Sequence, residues 1–272
     1  MKIIHLTDTH LGYIGQKIYQ RSPVIALEKA VESINQEHSD AEMLIITGDL
    51  AHAGHPEAYE TLEKTLSELT IPYHLVIGNH DDRAVLSEIF PTFELDENGF
   101  GQKVIETQKG VFILLDTMIE GTHAGVYCEQ RLDWLENEIS KADAANRPVY
   151  LFMHHAPFDT GIPALDVIGL EKQASARLAD IFDEFGNIKH LFFGHYHRPI
   201  AGSWRGVAFS TLRSMNHQVR LDMHCESMIQ GCFEEPQYCV VLLQDDATVV
   251  HYHDYMHSSE HFDIGDPLKA HV

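Results

Sequence analysis

Residues 43–60 read MLIITGDLAHAGHPEAYE. An apolar run rich in β-branched residues stops at Gly48 and Asp49, and a helical pattern resumes at Pro56. A first helical turn tolerates proline there because the missing N–H would have no partner in any case. Variants of this unit recur along the first two hundred residues. Strands are expected over 2–6, 43–46, 73–77, 104–107, 111–115, 149–153 and 190–193, and helices over 23–38, 56–69, 82–90, 129–142 and 171–185. Such alternation builds layered α/β proteins. From about residue 201 the long helices cease, and runs such as YCVVLL and TVVHYH predict a smaller β-rich segment.

What leaves the strands is unusual. The first ends in Asp8-Thr9-His10, the second in Gly48-Asp49 and the third in Gly78-Asn79-His80-Asp81; later ends give His154-His155 and Gly194-His195-Tyr196-His197. One Asp after a strand reads most simply as a turn residue or an N-cap, and one His as a hydrogen-bonded structural residue. Five strand ends carrying oxygen and nitrogen donors point instead to a shared site, because open α/β sheets bind ligands beyond the carboxyl ends of their strands. Carboxylate, amide oxygen and imidazole together suit hard or borderline divalent ions, whereas a thiolate-dominated set would suit structural zinc or iron–sulfur. Gly48, Gly78 and Gly194 each precede a candidate ligand, where a side chain would obstruct the backbone.

Composition narrows the function classes. With 44% hydrophobic and 22% charged residues the chain is ordinary for a soluble globular protein, and its 272 residues can bury a full core. A formal net charge of −22 speaks against nucleic acid and anionic membrane surfaces as partners, since such binding relies on Lys and Arg displacing counterions. The 20 histidines direct attention to metal binding and proton transfer. The opening MKIIHLTDTH reads as a strand rather than an export signal, and Cys128, Cys225, Cys232 and Cys239 lack CxxC spacing. Reduced thiols and a cytoplasmic location are therefore expected.

The set DTH, GDLAHAG, GNHDD, MHH and GHYH, spread over residues 8–197, resembles the calcineurin-like metallophosphoesterases, whose pattern is DxH, GDxxxxG, GNHD/E, H and GHxH in that order. The HH pair and the compact size are similar to the bacterial branch of cyclic-nucleotide phosphodiesterases and glycerophosphodiesterases. The resemblance implies a four-layer αββα sandwich of two mixed β-sheets flanked by helices, in place of the single doubly wound sheet that alternation alone suggests. The loss of long helices sets a catalytic domain at 1–200 and a β-rich appendage with tail at 201–272, whose apolar strands are expected to mediate homo-oligomer assembly. The resemblance also implies two divalent metal ions, with Fe, Mn, Zn and Co all compatible: Asp8, His10, Asp49 and His197 hold one, Asp49, Asn79, His154 and His195 the other, and Asp49 bridges them. His80 matches the family's catalytic histidine.

The expected reaction is hydrolysis of a small phosphodiester by in-line attack of a metal-bound hydroxide. Glycerophosphodiesters are expected first and 3',5'-cyclic nucleotides second, with a protein-binding scaffold as the non-enzyme alternative. His52, His155 and His217 are candidate substrate contacts, and Tyr13, Phe158 and Tyr196 are the aromatics considered for stacking on a base. His52 departs from the amide that glycerophosphodiesterases of this type tend to place there. Asp82 is expected to open a helix, while Asp81 could orient His80 or do the same. The stretch HYHDYMHSSEH, 251–261, is read as an oligomer contact or solvated strand ahead of a third metal site.

Overall fold

The computed structural model describes residues 1–260 and 262–264. The chain runs β1 (Lys2–Leu6), α1 (Pro23–Glu37), β2 (Leu44–Thr47), α2 (Pro56–Leu66), β3 (Tyr73–Val76) and α3 (Arg83–Ile89), then β4 (Lys103–Thr107) and β5 (Gly110–Leu114). It continues through α4 (Glu129–Ala144), β6 (Val149–Met153), the short α5 (Pro163–Asp166), α6 (Lys172–Glu184) and β7 (Ile188–Phe193). The last part is β8 (Ile200–Trp204), β9 (Val207–Thr211), β10 (Gln218–Val219), β11 (Gly231–Cys232), β12 (Tyr238–Leu243) and β13 (Thr248–His253). No helix among the described residues is long and apolar enough to cross a membrane, and all four cysteines are unpaired.

Two mixed sheets form, in the orders β13-β12-β1-β2-β3 and β4-β5-β6-β7-β9-β8. Helical crossovers make β1–β2–β3 and β5–β6–β7 parallel, while hairpins add antiparallel strands at the edges. Side chains alternate across each strand, so each sheet has two apolar faces to cover. Ile3, Ile45, Val241, Phe112, Phe152 and Phe192 meet between the sheets. On the outer side of the first sheet, Ile4, Leu44 and Ile46 pack with Leu27, Val31 and Leu62 from α1 and α2. Ile113, Leu151 and Leu191 of the second do so with Leu135 of α4 and Leu178 of α6. This is the expected αββα layering. Asp82 caps α3 by accepting Val85 N–H at 3.0 Å, as its position predicts.

The expected appendage from residue 201 is corrected by the strand pairing. β9 lies parallel to β7, and β12 lies antiparallel to β1 with Lys2 opposite Leu242 and His5 opposite Cys239. Leu212, Cys239, Val241 and Leu243 belong to the core between the sheets. The excursion between β9 and β12, with its small β10–β11 ribbon, stands apart from the two main sheets. The apolar YCVVLL strand is thus covered within the chain. Neither His251 nor His253 joins a group of three potential metal ligands among the described residues, and His261 lies outside them.

Two histidines are trapped between the sheets. His5 Nε2 pairs with Thr47 Oγ1 at 2.8 Å and His190 Nε2 with Ser210 Oγ at 2.9 Å. Burial, aided by His190, depresses His5 to about 3, and burial depresses His190 to about 4. Both folded values lie below the ordinary 6.5. Between the two limits the unfolded chain binds protons that the folded chain excludes, so stability falls as pH drops from 6.5 towards 4. His190→Asn should shrink that loss, read as a smaller fall in denaturant midpoint across the window. Identical slopes for variant and parent would contradict this.

Candidate metal centre and substrate cavity

The strands β1, β2, β3, β6 and β7 bring their carboxyl ends together, and the residues that follow them turn sharply. Among the described residues nine non-glycine residues have positive φ, and five of them are Asp8, His10, Asp49, His195 and His197. Left-handed backbone at such residues costs on the order of 1–3 kcal/mol each and persists where surrounding structure imposes it. Two glycines permit the approach: a Cβ on Gly48, itself at φ +93°, would lie 2.4 Å from His154 Nδ1, and one on Gly78 would lie 2.2 Å from Asp49 Oδ1.

Asp49 stands at the centre and is buried. Its Oδ1 lies 3.3 Å from His154 Nε2 and accepts His80 N–H at 2.9 Å; its Oδ2 lies 3.5 Å from His10 Nε2. Asn79 Oδ1 joins the first side, 3.2 Å from His154 Nε2 and 3.0 Å from His195 Nδ1. Asp8 joins the second, with Oδ1 3.1 Å from His197 Nε2 and Oδ2 held by the Thr7 hydroxyl at 2.8 Å. All seven side chains anticipated as ligands therefore converge in two sets that share Asp49.

This donor set fits cations. His10 Nε2 and His197 Nε2 face each other at 3.1 Å between two carboxylates, and His195 Nδ1 faces Asn79 Oδ1 at 3.0 Å. Asp8, His10, Asp49 and His197 have ligand atoms close enough to hold one ion. Burial opposes a charged His154, but Asp49, Asp8 and the Thr47 carbonyl together lift the ring to about 9; His197 is likewise raised against burial, by Asp8, Asp49 and the His217 carbonyl together. Burial drives His10 and His195 well below their ordinary value. The carboxylates thus attract positive charge into a place that resists free imidazolium, which divalent ions on neutral rings would satisfy.

His80 is set at the edge of this centre. Its Nδ1 donates to His52 O at 2.8 Å, leaving Nε2 free and 4.0 Å from Asp49 Oδ2. Asp81 does not orient it. The Asp81 carboxylate accepts Gly78 N–H at 2.8 Å, Ala51 N–H at 2.9 Å, Leu50 N–H at 3.1 Å and Tyr59 O–H at 3.0 Å, which ties the turns after β2 and β3 together. Burial, then Asp49, pushes Asp81 up to about 6.

A cavity of about 450 Å³ opens over these groups. His217 leans over it, with its ring 4.6 Å from that of His197 and 5.0 Å from that of His10. His52 lies behind His80, stacked on it at 5.4 Å and 14°. His155 is fully buried and has both nitrogens engaged, with Thr117 Oγ1 at 2.8 Å and His123 O at 3.1 Å. It supports the wall and has no free nitrogen for a substrate. Sequence reasoning missed His123, whose Nδ1 accepts from Asn79 Nδ2 at 2.9 Å, and Tyr19, which packs 4.5 Å from the His217 ring. Tyr19, whose backbone is left-handed at φ 49°, lines the cavity with Phe233. Of the aromatics considered beforehand, Tyr196 is buried, Phe158 packs against Phe209 and Trp204, and Tyr13 lines a neighbouring groove with His52. A larger groove of about 850 Å³ lies by the N-terminal ends of β6 and β7, away from this chemistry.

A sandwich with a buried carboxylate and imidazole cluster at its strand ends has the donor set of a metal centre. Residues 1–199 match the model of the calcineurin-like phosphoesterases, and the chain belongs to that family. It is 39% identical to a probable cyclic nucleotide phosphodiesterase of Rhodopseudomonas palustris, over 100% of this chain and 98% of the relative. It is 31% identical to a probable glycerophosphodiester phosphodiesterase of Arcobacter nitrofigilis, over 87% and 86%. In fold it is similar to a dimetal phosphatase from Danio rerio, with a TM-score of 0.70 and 17% identity, covering 94% of this chain and 96% of that one.

Replacing Asp81 with Ala would strand three buried N–H groups. A loss of about 3 kcal/mol or more is expected, measured by denaturant unfolding, with Asp81→Asn milder because one acceptor oxygen remains. An Ala variant as stable as the parent would remove the clamp from the account.

Proposed function

We propose that this chain hydrolyses small phosphodiesters with two divalent metal ions, and that 3',5'-cyclic nucleotides are its preferred class. The observation that carries the reading is the Asp49 carboxylate, with one oxygen toward Asn79 and His154 and the other toward His10, beside the free Nε2 of His80. Asp8, His10, Asp49 and His197 would hold one ion and Asp49, Asn79, His154 and His195 the other. When bound, the ions would supply the positive charge that neutralises the phosphoryl oxygens and draws their ligand water toward ionisation. His80, its tautomer fixed by the His52 carbonyl, is placed to stabilise charge on the phosphoryl group or to give a proton to the leaving alkoxide.

The cavity walls support a diester. Among the described residues no Lys or Arg lines it, so a second phosphate charge would find no side-chain cation there. Opposite the polar floor stand Tyr19, Leu165, Ile168, Val219, Ile229 and Phe233, a surface suited to a planar, weakly polar base. This wall and the similarity to the cyclic nucleotide phosphodiesterase are why we favour cyclic nucleotides over the glycerophosphodiesters expected from sequence. The latter remain the second reading, favoured by His123 and His217, which could hydrogen-bond glycerol hydroxyls.

A panel of cyclic AMP, glycerophosphocholine and a nucleoside monophosphate, assayed on metal-loaded and chelated protein, tests this. Highest kcat/KM on the cyclic nucleotide, turnover of both diesters and loss of all activity on chelation are expected. Monoester preference or chelator-resistant turnover would contradict it. His80→Asn should lower kcat by about 10²–10⁴-fold while bound metal is unchanged; a parental kcat would remove His80 from the chemistry.

A further inference from the structure

An imidazole that faces the buried carboxylates as a ligand must present a lone pair inward and carry its proton on the other nitrogen. The partner of that other nitrogen fixes the tautomer. His154 Nδ1 lies 2.8 Å from Thr47 O, and His197 Nδ1 lies 2.8 Å from His217 O. Carbonyl oxygens only accept, so both rings carry Nδ1–H and turn Nε2 inward. His10 differs. Its Nε2 faces His197 Nε2 and Asp49 Oδ2, but its Nδ1 meets a side chain, His52 Nδ1, at 3.3 Å.

We propose that His52 is a positioning residue for His10: its Nδ1 accepts the His10 Nδ1–H and so holds the His10 Nε2 lone pair toward the Asp8 and Asp49 carboxylates. Ion affinity on the His10 side of Asp49 then depends on an acceptor at residue 52. The inference rests on the two-metal reading above.

The surroundings of His52 suit the task. Its N–H donates to Leu11 O at 2.8 Å and its carbonyl accepts His80 Nδ1–H, so the backbone is pinned on both sides. Its ring is stacked on that of His80 and meets Tyr19 edge-on at 6.0 Å. With Nδ1 accepting, the proton of His52 sits on Nε2. The same residue thereby fixes two tautomers, that of His80 through its carbonyl and that of His10 through its ring. The two sides of Asp49 are unequal as a result. His154 is locked by a backbone carbonyl that no side-chain substitution removes, whereas His10 is locked by a side chain.

The test is calorimetric titration of metal-free protein with Mn²⁺ alone, comparing the parent with His52→Phe and His52→Asn. Phe keeps a stacked ring without an acceptor; Asn places an acceptor oxygen near the former Nδ1. The parent should bind two ions per chain. His52→Phe should keep one at parental affinity and bind the other about 10–100-fold more weakly, and His52→Asn should restore most of that loss. Should the Phe variant fail to fold by circular dichroism, His52→Leu takes its place. Parental affinity for both ions without an acceptor, or equal weakening of both that Asn does not restore, overturns the role of His52 and leaves the two-metal reading standing. Fewer than two ions on the parent overturns both.

Discussion

The ring nitrogens of His10 and His197 meet at 3.1 Å between the carboxylates of Asp8 and Asp49, and much of the fold serves to hold them there. In water such groups would separate and hydrate. Here they are buried, and their mutual repulsion is relieved only by positive charge among them. Holding them takes rigid supports. The aromatic and branched layer between the sheets fixes the strand ends, left-handed turns at five of the polar residues aim the side chains inward, and Asp81 binds the turns after β2 and β3 through three backbone N–H groups. Asp81 brings another carboxylate close to Asp49, which adds to the demand for cations.

The cavity above this centre combines two surfaces with different tasks. Its floor consists of imidazoles, an amide and a carboxylate, and its walls are largely aliphatic and aromatic. The walls come from distant parts of the chain. Tyr19 sits in the loop before α1, Leu165 and Ile168 in and beyond α5, and Ile229 and Phe233 in the excursion between β9 and β12. Asn216 Nδ2 donates to Ile18 O at 3.1 Å, and Arg21 Nη1 to Glu234 O at 2.9 Å, which joins the first loop to that excursion. The excursion is thus part of the cavity wall, while the strands on either side of it complete the sheets.

The candidate ligands were legible because they lie immediately after apolar runs, where sequence position and spatial position coincide. Asp8, Asp49, Asn79, His154 and His195 all satisfy that local rule. The return of β12 to β1 was not legible, since nothing within YCVVLL says which of several distant edges it will pair with; the choice is made by the shared core of Ile3, Cys239 and Val241. Asp81 was ambiguous because a carboxylate before a helix can cap it or accept from other loops, and only the tertiary approach of Leu50 and Ala51 decides. His123 and Tyr19 lie in loops without periodic pattern. Proximity of GDLAHAG to the site was readable, but the contact of His52 with His10 depends on the folded turn.

In the proposed two-metal centre Asp49 would be shared between the two cations, one on each side of its carboxylate. Anomalous scattering from crystals of Mn²⁺-loaded protein tests it most directly. Two anomalous peaks are expected, with Asp49 Oδ1 against the one near Asn79 and His154, and Oδ2 against the one near His10. A single peak, or two peaks of which Asp49 touches only one, would contradict it.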